Sequence, residues 1–259
     1  MLIKAADDQS VALAALDRLA HRGGRHATRA SHELRHRRAV MRGNAKAAGL
    51  IDSVYSRSPD WAVIHDLYLQ HGGRFAQIDH LLINRWMDVY VLDSSSFGAG
   101  LRITDQGEFQ RWDEDFGQFQ DIASPIEQIR RIGLLRDAIA EIAQPALLGM
   151  MRLLPSYQPF VLVSPQARLE RSSHFDSSRV VTPEQLAKLV LQDIDQGNVY
   201  LGLIKAAAKT IPGQIIESIA RRLAGLHRQR GEAPEQTLPP DIISPTLHAH
   251  GRKNVKTRA

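Results

Sequence analysis

Asp79 and Asp93 are the residues of this 259-residue chain whose type and spacing most directly suggest chemistry. Asp79 opens a predicted strand over 78–84 (IDHLLIN), and Asp93 closes the next one, over 89–93 (VYVLD). Acids placed on neighbouring strands in this way can turn their oxygens towards one Mg²⁺ or Mn²⁺, since hard cations prefer oxygen ligands. A cation held there would activate water for attack on a phosphodiester and stabilise the charge that develops. Spacing alone is a modest signal, because acids at strand ends commonly meet solvent or close a turn.

Other reactive groups carry less. His32 and His36 stand four apart and would share one face of a helix, but no nearby carboxylate or thiol completes a metal site. Ser94, Ser95 and Ser96 lie near His80 and Asp93 without the nucleophile elbow of a serine hydrolase. Gly98-Ala99-Gly100 lacks both the third glycine and the following helix of a phosphate loop. His65 and His80 read as strand histidines, and Trp61, Trp86 and Trp112 as core or sheet-edge aromatics. The chain has no cysteine, which excludes a disulfide scaffold, a thiol nucleophile and every thiolate metal site.

The elements that must position the two aspartates follow from periodicity. Residues 12–20 repeat apolar side chains at helical spacing, and 45–55 (AKAAGLIDSVY) reads as a second helix closed by Ser58-Pro59-Asp60. Strands are predicted over 61–69, 78–84, 89–93 and 100–104, followed by a hairpin partner over 108–112. Ser124-Pro125-Ile126-Glu127 and Thr182-Pro183-Glu184-Gln185 each start a helix, because the hydroxyl caps, proline fits the first turn and the acid or amide can reach back. The apolar run 160–163 (FVLV) suits a strand covered on both faces, and 212–226 an amphipathic helix. The fold class is therefore α/β, with a mixed central sheet flanked by helices. The expected division is a basic helical arm over 1–44, the α/β domain over 45–205, an amphipathic helix over 206–230 and a flexible tail over 231–259.

Composition supports a folded core, with 43% apolar and 24% charged residues. No apolar run reaches the roughly 18 residues of a membrane-spanning helix. Asp7, Asp8, Asp17 and Arg18 argue against a secretory leader, so a cytoplasmic protein is expected. The net charge of +5 is not spread evenly. Between His21 and Lys46 stand Arg22, Arg25, Arg29, Arg35, Arg37, Arg38, Arg42 and Lys46 against the single acid Glu33, a balance of +7 that leaves −2 for the rest. Such a segment is either an electrostatic footprint for a phosphate backbone or a solvated arm that aids solubility.

The run WAVIHDLYLQHGGRFAQIDHLLINRWMDVYVLDSSSFGAGLRITDQGEFQRW, followed by SPIEQIRR, resembles the nuclease-related domain (NERD) family over about residues 45–200. The resemblance implies a restriction-endonuclease-like fold of the PD-(D/E)xK superfamily. It also implies DNA as the partner and a Mg²⁺- or Mn²⁺-dependent phosphodiesterase activity. Asp79 falls on the metal-binding aspartate of the family's Ile-Asp-His motif, Asp93 on the acid of its E-x-K motif and Gln128 on a glutamine of the following helix. Two positions depart from the pattern. The motif lysine falls on Ser95, and the glutamate of the first helix falls near Ala47 or Ala48. A positioned lysine would neutralise the phosphate at the transition state, a contribution of several kcal/mol that a short neutral serine cannot supply. Lys46, Arg74, Arg85 and Arg102 are the candidates for a migrated cation. The family resemblance therefore implies a nuclease fold with weak or absent cleavage, or a nucleic-acid-binding or protein-interaction module built on it.

Overall fold

A computed structural model describes residues 1–228 except 23, 72, 95–99, 114–116, 127–132, 144–146, 149–150, 153–154 and 196–211; residues 229–259 also lie outside it. The elements run in the order β1 (Leu2–Lys4), α1 (Ser10–His21), α2 (Arg25–Tyr55), β2 (Trp61–His71), β3 (Arg74–Asn84), β4 (Asp88–Asp93), β5 (Gly100–Ile103), β6 (Phe109–Asp113) and β7 (Gln118–Ile122). They continue with α3 (Gly133–Ala143), β8 (Leu147–Leu148), β9 (Met151–Arg152), β10 (Ser156–Leu162), β11 (Arg168–Arg171), β12 (Val180–Val181), α4 (Pro183–Asp195) and α5 (Gly213–Ala224).

Six strands form the central sheet in the order β1-β2-β3-β4-β10-β12. The β2-β3-β4 meander is antiparallel, while β1, β10 and β12 join their neighbours in parallel. The sheet is mixed, as the sequence implies, but β5, β6 and β7 leave it. Together with β11 they make a second, four-stranded mixed sheet. Consecutive short strands at even spacing do not reveal which sheet each one joins.

The strands are apolar on both faces because each face is covered. On one side Ala47, Ile51 and Tyr55 of α2 pack with Leu186 and Val190 of α4 over Val63, Leu82, Tyr90, Leu92 and Phe160. On the other, Leu135 and Ile139 of α3 and Ile216, Ile219 and Leu223 of α5 cover Ile64, Leu81, Ile83 and Val91. Leu101, Ile103 and Phe109 of the second sheet close onto this cluster. The capping logic at Thr182 holds in detail, with the Gln185 N–H donating to Thr182 Oγ1 and the Thr182 N–H to Gln185 Oε1.

Two features bear on the aspartates. First, the helix expected over 45–55 extends back to Arg25, so the basic segment and the packed helix are one 31-residue element that crosses residue 44 unbroken. Its first half buries Ala30 and Leu34 and packs against α1, and Arg38 pairs with Asp17 at 3.0 Å. Second, Asn84 sets the β3–β4 hairpin. Its buried amide oxygen accepts the N–H groups of Trp86 and Asp88 at 3.0 and 2.9 Å, which fixes the register that follows.

Candidate acidic site and nucleic-acid interface

Asp79 lies within β3, six residues from its start, and not at a strand opening as the sequence reading has it. The hairpin register pairs Ile83 with Val89 and His80 with Leu92. The ladder ends there, and Asp79 and Asp93 are the next residue on each of the two strands. On the other neighbour the ladder pairs His65 with His80 and Leu67 with Ile78, and it skips the intervening positions, Asp66 and Asp79. Asp66 has left-handed backbone (φ 47°), which is uncommon for a residue with a side chain. Burial pushes the Asp66 carboxyl above the usual carboxylate range, opposed by the Asp7 N–H, and the Asp79 and Asp7 charges add to the rise. Three acids therefore occupy successive strands at the level where β2 departs from regular pairing.

The Asp79 carboxylate is held asymmetrically. Its Oδ2 accepts the Ser94 main-chain N–H at 3.0 Å and lies 3.3 Å from the Ser94 hydroxyl, while among the described residues Oδ1 meets the Gln77 amide, at 3.4 Å. Among the described residues no group of three His, Cys, Asp or Glu side chains is arranged to hold a metal. The pair Asp79 and Asp93 nonetheless suits Mg²⁺, which keeps several waters and commonly takes only one or two carboxylates from a protein. The half-engaged Asp79 leaves oxygen lone pairs for such an ion, so the residues fit the cation the family resemblance implies. Gln128 and Ser95 lie outside the described residues.

Sequence reasoning did not find Asn44. Its amide nitrogen faces Ser94 and donates to the Ser94 carbonyl and hydroxyl oxygens, each at 3.1 Å. The first-helix position that reaches the site is thus Asn44, one turn before the Ala47 and Ala48 positions indicated by the resemblance. Those alanines are buried in the α2–sheet packing. Asn44 is polar and neutral, so the helix brings no carboxylate to this point.

Three of the four candidate replacements for the lysine are committed elsewhere. Arg74 pairs with Asp137 of α3, Arg85 with Asp60 at 2.8 Å, and Arg102 with Glu170 at 2.5 Å while stacking over the Phe119 ring. Lys46 is the exception: its partner among the described residues is the neutral Gln166 amide, at 3.3 Å. Lys46 and Arg42 line a cleft of about 270 Å³ whose wall includes Ser94, Ala47, Leu162 and Ser164. Ser94 is therefore the point where the cationic side of α2 and the acidic site meet.

The remaining cations divide by partner. Arg37 pairs with Glu33 at 2.6 Å and Arg38 with Asp17. The side chains of Arg22, Arg29, Arg35 and Arg42 are exposed and make no ion pair or hydrogen bond with the described residues. The side chain of Arg25 is outside the described set. Arg35, Arg42 and Lys46 stand seven and four residues apart, which places them on one helix face over about 16 Å of rise.

A mixed sheet flanked by helices, with Asp79 and Asp93 on adjacent strands of an antiparallel meander, is an α/β architecture of the nuclease-like kind. Residues 40–138 match the family model of the nuclease-related domain. The match starts inside α2, ends inside α3 and contains Asp79, Asp93 and Gln128; it is shorter than the 45–200 expected from the motifs. No curated protein and no solved structure matches the chain. No helix among the described residues is long and apolar enough to cross a membrane.

Proposed function

We propose that this chain is a nucleic-acid-binding module on a nuclease-related fold, with DNA as its partner and cleavage weak or absent. The observation that carries this reading is the continuity of α2. Its exposed cations lead along one face to Arg42 and Lys46, which share a cleft with Ser94, and Ser94 holds Asp79. A phosphate backbone laid along this face would release counterions at each neutralised phosphate and would come to rest beside the two aspartates. Binding along α2 needs no metal.

Asp79 and Asp93 are the residues that would hold Mg²⁺ or Mn²⁺. The cation would supply charge stabilisation and an activated water at the phosphodiester. What the chain itself offers around that point is sparse. Ser94 orients Asp79, Asn44 orients Ser94, and Lys46 stands at the cleft rim engaged with a neutral amide. Among the described residues no cation stands beside Asp79, and Ser95 at the motif-lysine position is neutral, so the charge that a motif lysine contributes is not supplied from that position. The division into a basic arm over 1–44, a domain over 45–205 and a tail from 231 remains the working architecture, with the arm joined to the domain through α2.

Fluorescence anisotropy with a labelled DNA oligonucleotide, run with and without EDTA, tests the binding claim. Salt-sensitive binding that is indifferent to EDTA is expected. A plasmid-nicking assay with Mn²⁺ on wild type and Asp79→Ala tests the catalytic claim, and the expected result is equal, low signal. Strong nicking abolished by Asp79→Ala would make the protein a working phosphodiesterase instead. Absence of salt-sensitive binding would remove the nucleic-acid reading.

A further inference from the structure

Beneath α2 runs a buried polar chain that neither the α2 cations nor the aspartate pair accounts for. Asp52 Oδ1 lies 3.2 Å from His65 Nε2, and His65 Nδ1 lies 2.8 Å from His80 Nδ1. His80 Nε2 in turn lies 2.9 Å from the Ser94 hydroxyl. Both rings are 1% exposed and meet edge to face, so their partners are protein groups and not bulk water. Asp52 is the outer end, on the half-exposed side of α2.

Each contact needs one donor and one acceptor, and a neutral imidazole has one of each. A chain of two such rings therefore has only two self-consistent directions. In the first, His65 donates from Nε2 to Asp52, His80 donates from Nδ1 to His65, and the Ser94 hydroxyl donates to His80 Nε2. In the second every proton is reversed, and the Ser94 hydroxyl is free to donate to Asp79 Oδ2, which lies 3.3 Å away. A carboxylate can only accept. Asp52 thus selects the first direction, and the choice passes through two rings to a hydroxyl beside Asp79.

We propose that Asp52 is a positioning residue for the Asp79 site, acting through His65 and His80 to turn the Ser94 hydroxyl away from the Asp79 carboxylate. Asp79 then receives the main-chain N–H of Ser94 and the Gln77 amide but not the Ser94 hydroxyl, and its remaining lone pairs stay available to a cation. The cation half of this statement rests on the function proposed above; the direction of the chain does not. A set of contacts that only satisfied buried polar atoms would be indifferent to direction.

Long-range ¹H–¹⁵N spectra of the full chain at neutral pH read the direction. Wild type should show His65 protonated at Nε2 and His80 at Nδ1. Asp52→Lys, a side chain that can only donate, should invert both tautomers, and Asp52→Glu should restore the wild-type pair. Ser94→Ala should leave both tautomers as in wild type, because Asp52 and not Ser94 sets them. Wild-type tautomers of the opposite kind, or tautomers untouched in a folded Asp52→Lys chain, would overturn the proposal. So would a His80 tautomer that changes in Ser94→Ala.

Mn²⁺ titration reads the consequence. Asp52→Lys should lower Mn²⁺ affinity by about tenfold, the scale on which outer partners of ligands act. Most of that loss should vanish when Asp52→Lys is made in the Ser94→Ala background, since the hydroxyl that carries the effect is gone. An equal loss in both backgrounds would overturn the coupling. A wild type with no Mn²⁺ affinity would refute the cation reading of the site, while the tautomer spectra would still decide the direction of the chain.

Discussion

The two halves of α2 obey different rules, although they form one helix. Up to Met41 it buries little beyond Ala30 and Leu34, carries exposed Arg29 and Arg35, and packs against α1 with the exposed Arg38–Asp17 pair between them. From Arg42 onwards it sinks Ala47, Ile51 and Tyr55 into the sheet and sends Asn44 and Asp52 to the buried polar chain. Stability resides in the second half and long-range electrostatics in the first. Arg42 and Lys46, at the join, belong to both. A single rigid element therefore delivers a charged track to a chosen point of the sheet, which a flexible arm could not do.

Acid should break this division most strongly, and only through the packed half. Burial, with the His65 ring adjoining, pushes the His80 imidazole down to about 3. The unfolded chain binds this proton below about pH 6.5 while the folded chain refuses it, so stability falls as pH drops from 6.5 towards 3. The loss should be on the order of 5 kcal/mol across that window. The His65→Leu/His80→Leu chain should show a much flatter curve in urea melts at pH 7 and pH 4. An unchanged slope in that variant would detach the histidines from acid sensitivity.

Ile51→Ala comes next. It should cost about 2–5 kcal/mol in urea unfolding, as expected for a fully buried side chain. Arg35→Ala in the other half should stay within about 0.5 kcal/mol. The order reverses for DNA. Arg42→Glu/Lys46→Glu should weaken binding at least about tenfold by anisotropy, whereas a folded Ile51→Val chain should bind as wild type. The smallest effect is expected at the α1–α2 contact, where Asp17→Asn should change stability by less than about 1 kcal/mol because the Arg38 pair is solvent-exposed.

The same division explains what the sequence showed. The strands holding Asp79 and Asp93 and the caps at Thr182 are written in local pattern, and the structure has them within a few residues. The basic arm was expected to be helical, but its continuity with the helix over 45–55 was hidden, because its described side chains bury little beyond Ala30 and Leu34 and charge dominates its periodicity. The second sheet was hidden because partner choice depends on contacts far apart in sequence, such as β11 with β5. The Asp52–His65–His80–Ser94 chain joins residues 13 to 15 positions apart, and it exists only because the β2–β3 and β3–β4 registers both hold. Asn44 carried no signal, since an asparagine in a basic segment resembles any other polar position.

The central claim is that the α2 face over Arg35, Arg42 and Lys46 is the part of the molecule that meets a phosphate backbone. The salt dependence of affinity for a single-stranded oligonucleotide tests it most directly, measured on wild type and on Arg35→Ala/Arg42→Ala/Lys46→Ala. Loss of three phosphate contacts should reduce the slope of log K against log salt by about 2. A slope equal to that of wild type would contradict the claim.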